Sequence, residues 1–331
     1  MPNVLVIGST GYIGSALSQQ LIRSGNHFVF GIAATEKEGF QLSVNEILPL
    51  EGNFNDADAL RKLVDAGQID VIVDTTSFND SATKSEILRT VQEVARVKRT
   101  TADHLPKLGF VTVSGIWTHG STEDPRGTFK PATAESPSIV PAPGLVEARA
   151  QYEKAVVNAR TDLDVAVIRP SFVWARGGSG WTRILKGIVD AAKTGDTGTV
   201  RIPVDPENSV YSFTNIDDVA YALELAVDKI QQLNGNSVYP VFELVADQFP
   251  IERLFVLDAG FFGCKAKIEL YKPEGVSFLD SIGGTADVNA VRAKQILAWE
   301  PRKRYFLRDT KIYAKSFLAA LALAGERKGA Q

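Results

Sequence analysis

Asn3-Val-Leu-Val-Ile-Gly-Ser-Thr-Gly-Tyr-Ile-Gly14 is the stretch that decides the fold of this chain. A short β-branched run ends in glycine, and apolar residues then recur at helical spacing as far as Gly25. This pattern predicts a strand, a tight turn and a helix. Three glycines spaced in this way allow a left-handed turn, close approach of the backbone to a pyrophosphate, and close packing of helix on strand. Glycines alone could form only a tight turn, but a strand before them and a helix after them favour dinucleotide binding.

Strands and helices continue to alternate after this turn. Predicted strands cover 27–32, 70–74, 110–113 and 165–168, and predicted helices cover 57–66, 81–97 and 146–159. Such alternation predicts an α/β fold with a Rossmann-type doubly wound parallel sheet, because the crossovers between parallel strands are right-handed helices. We therefore expect a dinucleotide-binding Rossmann core over residues 1–175.

The pattern becomes irregular beyond Pro170. Glycine-rich segments at 176–180 and 194–198 flank a predicted helix over 181–192, and further helices are predicted over 215–227 and 310–324. We expect residues 176–331 to form mainly a small irregular C-terminal substrate lobe. Within it, residues from about 209 to 230 should return to pack on the core, because an apolar helix follows acidic capping residues there.

Composition excludes several classes of partner. The 331 residues carry a net charge of −3, so no concentrated basic surface attracts nucleic acid or acidic membranes. The lone Cys264 and three scattered histidines show no metal-ligand spacing, so we expect no metal site. No apolar run approaches the roughly 18 residues that span a bilayer. We expect a cytoplasmic protein that acts on a small-molecule substrate, with no nucleic-acid or membrane partner.

The end of the second predicted strand bears on the choice of dinucleotide. The adenosine ribose should lie near Gly31-Ile-Ala-Ala-Thr-Glu-Lys37, and no Asp or Glu stands at the strand tip to accept a hydrogen bond from a 2′-hydroxyl. Ala34 occupies the place where an Arg often contacts a 2′-phosphate, while Thr35 and Lys37 follow within reach. This sequence favours NADP, with NAD as the alternative.

Further motifs follow in order along nearly the whole chain. They are Gly52-Asn-Phe-Asn-Asp56, Asp74-Thr-Thr-Ser77, Val113-Ser-Gly-Ile-Trp-Thr-His-Gly120, Arg169-Pro-Ser-Phe-Val-Trp174, Ser212-Phe-Thr-Asn-Ile-Asp-Asp218 and Leu297-Ala-Trp-Glu-Pro301. In these motifs the chain resembles the extended and atypical short-chain dehydrogenase/reductases, a group with epimerase/dehydratase-like and NmrA-like members.

The resemblance implies a set of cofactor contacts and a substrate lying over the nicotinamide. The residues it implies are Gly8, Thr10, Gly11, Tyr12, Ile13 and Gly14 around the pyrophosphate, Asn53 and Phe54 beside the adenine, Thr75, Thr76 and Ser77 on the path to the nicotinamide, and Pro170 to Val173, including Phe172, near its carboxamide. It also implies a homodimer formed through two helices.

The family's catalytic Ser or Thr, Tyr and Lys are altered in this sequence. The family's Tyr precedes its Lys by four residues on one helix, which lets the Lys charge lower the pKa of the phenol. None of the eight tyrosines here has Lys four positions later. Alignment with the family's Lys-x-x-x-Glu places Arg149 at the Lys position and Leu145 at the Tyr position. Gly115 stands where the catalytic hydroxyl is usual, with Ser114 one residue early.

Arg149, Ser114 and His119 are therefore the catalytic candidates. Arg149 could hold the ribose hydroxyls of the cofactor, although a pKa above about 12 makes it a poor acid; alternatively it forms a surface pair with Glu153. His119 has a pKa suited to acid–base work, although a lone loop histidine is often structural.

Two tyrosines are weaker candidates for a proton donor. They are Tyr152 and Tyr211. Tyr152 is three residues after Arg149, which places it on a neighbouring helix face and predicts a packing role.

Three functions remain open on these observations. The first is an NAD(P)-dependent oxidoreductase of atypical short-chain type that acts on a carbonyl or alcohol of a small organic metabolite. The second is a redox-neutral isomerase, epimerase or cyclase built on the same fold. The third is a non-catalytic regulator that senses NADP and binds a protein partner.

Overall fold

The structure is a computed structural model that describes part of the chain. The described residues are 1–52, 54, 57–77, 80–101, 106–119, 144–179, 182–206, 210–235, 238–272 and 287–329. Asn53, a predicted adenine contact, lies outside them.

Within the described residues, thirteen strands form three sheets. They are β1 (Asn3–Ile7), β2 (Phe28–Ala33), β3 (Leu48–Glu51), β4 (Val71–Asp74), β5 (Gly109–Val113), β6 (Asp164–Pro170), β7 (Phe172–Ala175), β8 (Gly178–Ser179), β9 (Thr199–Pro203), β10 (Val210–Asn215), β11 (Val241–Leu244), β12 (Asp247–Pro250) and β13 (Lys267–Tyr271). The largest sheet has seven parallel strands in the order β11-β6-β5-β4-β1-β2-β3. The strand order reverses between β1 and β4, which opens a crevice at their carboxyl ends. The predicted Rossmann-type doubly wound sheet is confirmed.

Helices cover both faces of this sheet and build much of the remaining structure. They are α1 (Tyr12–Ser24), α2 (Glu36–Val44), α3 (Ala57–Ala66), α4 (Ser81–Thr101), α5 (Gly144–Asn158), α6 (Thr182–Thr194), α7 (Ile216–Gly235), α8 (Ile251–Phe262) and α9 (Phe306–Gly329). In the described part of the chain, none of them is both long enough and apolar enough to cross a bilayer.

Strand β1 shows why both faces of the sheet are covered. Its side chains alternate, so Val4 and Val6 enter the core formed with α1 and α7, while Leu5 and Ile7 enter the core formed with α3, α4 and α5. All four are almost fully buried. A strand that is apolar on both faces is typical of a parallel sheet between two helical layers.

The C-terminal part combines a second core with elements that return to the main sheet. A four-stranded sheet, β12-β10-β7-β8, and the pair β13-β9 pack with α6, α8 and α9 around an aromatic-rich core. Helix α7 begins within the predicted returning segment, runs past its predicted end to Gly235, and packs on β5 and β6. Strand β11 also joins the main sheet, beyond the predicted limit of about 230. The division of the chain at residue 175 stays a prediction.

Candidate functional site

The glycine turn leaves the N-terminus of α1 open. Gly8 has a φ of +84°, and the Gly11 N–H donates to the Gly8 carbonyl at 2.8 Å. A Cβ at Gly14 would lie 2.0 Å from that carbonyl oxygen, so this position accepts only glycine. The N-cap residue is Gly11, which has no side chain that could cap the helix, and Thr10 and Gly11 are exposed. The first N–H groups of α1, including those of Tyr12 and Ile13, therefore remain available to an anionic group.

The end of β4 forms the opposite wall of this turn. The Thr75 hydroxyl donates to the Ile7 carbonyl at 2.8 Å, and a Cβ at Gly14 would be only 2.6 Å from it. Thr76 donates to the buried Asp74 through its N–H and its hydroxyl, at 2.9 and 2.6 Å. Ser77 follows directly at the same sheet edge. Thr75 therefore lies beside the glycine turn, and the other two predicted residues, Thr76 and Ser77, follow it after the end of β4.

A carboxylate lies at the tip of β2. The Thr35 hydroxyl accepts from the Glu38 N–H at 3.3 Å and caps α2, and the Glu38 carboxylate accepts from the Ala34 N–H at 2.7 Å. Lys37 is exposed on the same turn of helix. Sequence reasoning looked for an acid in the strand itself and missed Glu38, although Thr35-Glu-Lys-Glu38 has the spacing of a capping box. Phe54, the predicted adenine contact that lies within the described residues, packs partly buried against the core.

Arg149 lies against Gly115. A Cβ at Gly115 would stand 3.0 Å from Nη1 of Arg149 and 3.7 Å from the Pro170 carbonyl oxygen. Arg149 is 4 % exposed, and this burial lowers the pKa of its guanidinium to about 10, against a raising effect of Glu153. The predicted alternative of an exposed Arg149–Glu153 surface pair is wrong, because both residues are buried and the Glu153 carboxylate binds Arg169.

Ser114 occupies the adjacent position at the end of β5. Its N–H donates to the Ile168 carbonyl at 2.8 Å, and the residue is 3 % exposed. Its hydroxyl has no hydrogen-bond partner among the residues that the structure describes. A side chain at Gly115 would point towards Nη1 of Arg149. A catalytic role for Ser114 stays a prediction.

His119 lies in a buried charged network. Its Nε2 is 3.1 Å from Oε1 of Glu243 and 3.2 Å from Nη1 of Arg169. The Arg169 Nε donates to Glu153 at 3.0 Å, and its Nη1 donates to Glu243 at 3.1 Å. Burial alone would lower the pKa of Arg169, but the two carboxylates raise it. The guanidinium therefore stays charged. These contacts favour a structural role for His119, whose catalytic role stays a prediction.

The two candidate tyrosines are enclosed in cores. The Tyr152 hydroxyl lies 3.1 Å from the Thr112 hydroxyl, within a cluster that contains a buried Lys84–Asp74 ion pair of 2.6 Å. Tyr211 is fully buried, and burial raises the pKa of both phenols. The predicted nicotinamide contact Phe172 packs against Tyr211 in the aromatic core, with 5.4 Å between ring centroids and the rings tilted by 38°.

The geometry of the turn and the crevice agrees with a match to a known family. The model of the NAD dependent epimerase/dehydratase family matches residues 4–241. The chain belongs to this family. No curated protein matches it significantly. Within the family, an open glycine turn at the switch between β1 and β4 fits a nicotinamide dinucleotide, because its N–H groups face the place of the pyrophosphate. Across the described ranges, no group of three or more His, Cys, Asp or Glu side chains could hold a metal ion.

Solved structures of epimerases and dehydratases share this fold. The dTDP-glucose 4,6-dehydratase of Bacillus anthracis, in complex with NAD, has 17% sequence identity and a TM-score of 0.68 over 96% of this chain and 97% of that one. The UDP-Glc/GlcNAc 4-epimerase of Campylobacter jejuni has 17% identity and a TM-score of 0.67 over 97% and 99%. The UDP-glucose 4-epimerase of Thermotoga maritima, with UDP-glucose, has 18% identity and a TM-score of 0.68 over 96% and 99%. At such low sequence identities, the similarity to these structures shows a shared fold and no more.

Proposed function

We propose that this chain binds NAD at the glycine turn and catalyses an epimerisation or dehydration of a small hydroxylated metabolite, with no net oxidation. The observation that carries the proposal is an open N-terminus of α1 at the crevice of an epimerase/dehydratase-family sheet. A bound nicotinamide supplies a reversible hydride acceptor, which redox-neutral chemistry of this kind needs. Family membership therefore favours the second sequence hypothesis over a net oxidoreductase.

The proposed dinucleotide is NAD rather than the NADP favoured from the sequence. The Glu38 carboxylate at the Ala34 N–H, 2.7 Å away, lies at the strand tip where the adenosine ribose is expected. A ribose 2′-hydroxyl can donate to a carboxylate, whereas a 2′-phosphate would be repelled by it. NAD is also the dinucleotide in the Bacillus anthracis dehydratase complex.

Arg149 is the catalytic residue of this proposal. Its pKa of about 10 keeps the guanidinium charged at neutral pH, so it can stabilise negative charge that develops on a substrate oxygen. It does not readily donate a proton at that pH. The guanidinium lies beside Gly115, the position at which the resemblance implies the family's catalytic hydroxyl. Contact of Arg149 with the ribose hydroxyls is the alternative role.

Nucleotide sugars are the first substrates to test, because the solved relatives include enzymes for UDP-glucose and dTDP-glucose.

The missing Tyr-x-x-x-Lys pattern supports a second candidate, a regulator that senses the dinucleotide without catalysis. The homodimer implied by the resemblance stays a prediction.

Dinucleotide titration followed by product analysis tests these alternatives. We expect calorimetry to show binding of NAD in preference to NADP, and NMR to show epimerised or dehydrated sugar from UDP-glucose, UDP-glucuronic acid or dTDP-glucose without accumulation of NADH. Accumulation of NADH would instead support the oxidoreductase. Binding without turnover of any of these sugars would favour the regulator, and failure of every dinucleotide to bind would refute the cofactor role.

A further inference from the structure

The β7–β8 hairpin has a strained backbone. Trp174 pairs with Ser179 and Ala175 with Gly178, so Arg176 and Gly177 form the two-residue turn. Both have positive φ, 51° and 77°, as in the turns that suit tight hairpins. Ala175 has a φ of 129°, which side chains of L-residues rarely adopt. Such a conformation persists only where surrounding contacts hold it.

Tyr12 of the glycine turn provides one of these contacts. Its hydroxyl donates to the Ala175 carbonyl at 2.8 Å and lies 3.3 Å from the Gly178 carbonyl oxygen. Its ring fills the space beside Gly178, because a Cβ there would be 2.4 Å from the ring. Burial raises the pKa of the phenol, and the Asp217 charge adds to this effect, so the hydroxyl keeps its proton and remains a donor.

Two further contacts hold the other side of the hairpin. Arg176 forms a 2.7 Å ion pair with Asp217 at the start of α7. Gly177 packs so closely on α9 that a Cβ there would be 2.6 Å from the Ala320 Cβ. The hairpin is therefore held by α7 and α9. After β8 the chain continues to α6.

We propose that Tyr12 is a positioning residue that couples dinucleotide binding to the hairpin that leads into the C-terminal lobe. The proposal rests on the proposed dinucleotide site, because the backbone of Tyr12 opens α1 at the pyrophosphate position while its side chain holds Ala175. A dinucleotide that orders the turn also orders Tyr12. Because the Tyr12 hydroxyl donates to the Ala175 carbonyl, the strained residue Ala175 is ordered as well. The cofactor site and the beginning of the lobe then move as one unit.

Hydrogen exchange measured by mass spectrometry tests this coupling in the full chain. The test variant is Tyr12→Phe, which keeps the ring and removes only the hydroxyl. The matched control is Tyr305→Phe, because Tyr305 is 63% exposed. Peptides that cover residues 172–179 are followed with and without saturating NAD, and calorimetry gives the affinity for NAD.

We expect the hairpin of the Tyr12→Phe variant to exchange faster than wild type even without NAD. In wild type and the control, NAD should slow this exchange several-fold. The Tyr12→Phe variant should lose most of this slowing and, because coupling between two sites is reciprocal, bind NAD several-fold more weakly than wild type. Equal slowing in Tyr12→Phe and wild type would overturn the coupling. So would loss of NAD binding in Tyr12→Phe, which would assign the hydroxyl to the cofactor itself. Failure of wild type to bind NAD would refute the proposed function, whereas the comparison without NAD still reports on the contact between Tyr12 and the hairpin.

Discussion

Nη1 of Arg149 lies 3.0 Å from the position that a Cβ on Gly115 would take. The backbone of Gly115 has no positive φ, so only this close approach opposes a larger residue. We expect Gly115→Ala to displace the guanidinium and to be better tolerated in an Arg149→Lys background, because the lysine ammonium lacks the planar fork. A double-mutant cycle of unfolding free energies should give a coupling of about 0.5 to 3 kcal/mol. Additive effects would show that the two residues do not interact.

Gly14→Ala should strongly weaken dinucleotide binding. The added Cβ would meet the Gly8 carbonyl oxygen at 2.0 Å, and backbone atoms at such a turn cannot move away without opening it. Calorimetry should show at least a tenfold loss of NAD affinity, together with lower thermal stability. The control is Gly187→Ala in α6, which meets no atom within 4 Å and should stabilise the fold by about 0.5 to 1 kcal/mol. Unchanged NAD binding by Gly14→Ala would place the cofactor elsewhere.

Glu38→Gln should shift the choice of dinucleotide. Loss of the charge at the tip of β2 removes the repulsion of a 2′-phosphate, while the amide keeps the size of the side chain. We expect the ratio of NAD to NADP affinity to fall about tenfold, which corresponds to about 1.4 kcal/mol. Glu36→Gln is the matched control, since it removes the same charge from the same first turn of α2. An equal fall of the affinity ratio in both variants would show that Glu38 acts only through the net charge of the first turn of α2.

The glycine turn and the alternation of strands and helices were sufficient to predict the sheet, because both are local patterns. The charged pairs behind the site were not predicted, since Arg169 joins Glu153 and Glu243 across distant parts of the chain. The i,i+4 spacing showed that Arg149 and Glu153 share a helix face, but it could not show that this face is buried. Short, glycine-rich segments in the C-terminal part carried too little periodicity to predict β9 to β13.

Arg169→Met should destabilise the fold strongly. The change leaves the carboxylates of Glu153 and Glu243 buried without their shared cation, and breaking such a network typically costs about 3 to 5 kcal/mol. Urea unfolding measures this loss. Arg89→Met, which removes an exposed arginine from its pairs on α4, should change stability little. Comparable effects of the two variants would mean that the buried network contributes no more than surface pairs.

Asp258 should make the stability of the protein fall as pH rises. Neither carboxylate oxygen has a hydrogen-bond partner in the described ranges, and burial in α8 raises the pKa to about 8. The folded state therefore keeps the Asp258 proton at pH values above the unfolded pKa of about 3.9. The stability that this bound proton contributes is fully present below that pH and decreases by about 1.4 kcal/mol per pH unit up to about pH 8. Asp258→Asn lacks this titration. Urea unfolding from about pH 5 to about pH 8 should show the variant gaining about 3 to 4 kcal/mol relative to wild type. Parallel profiles would mean that the folded protein accommodates the ionised carboxylate at neutral pH.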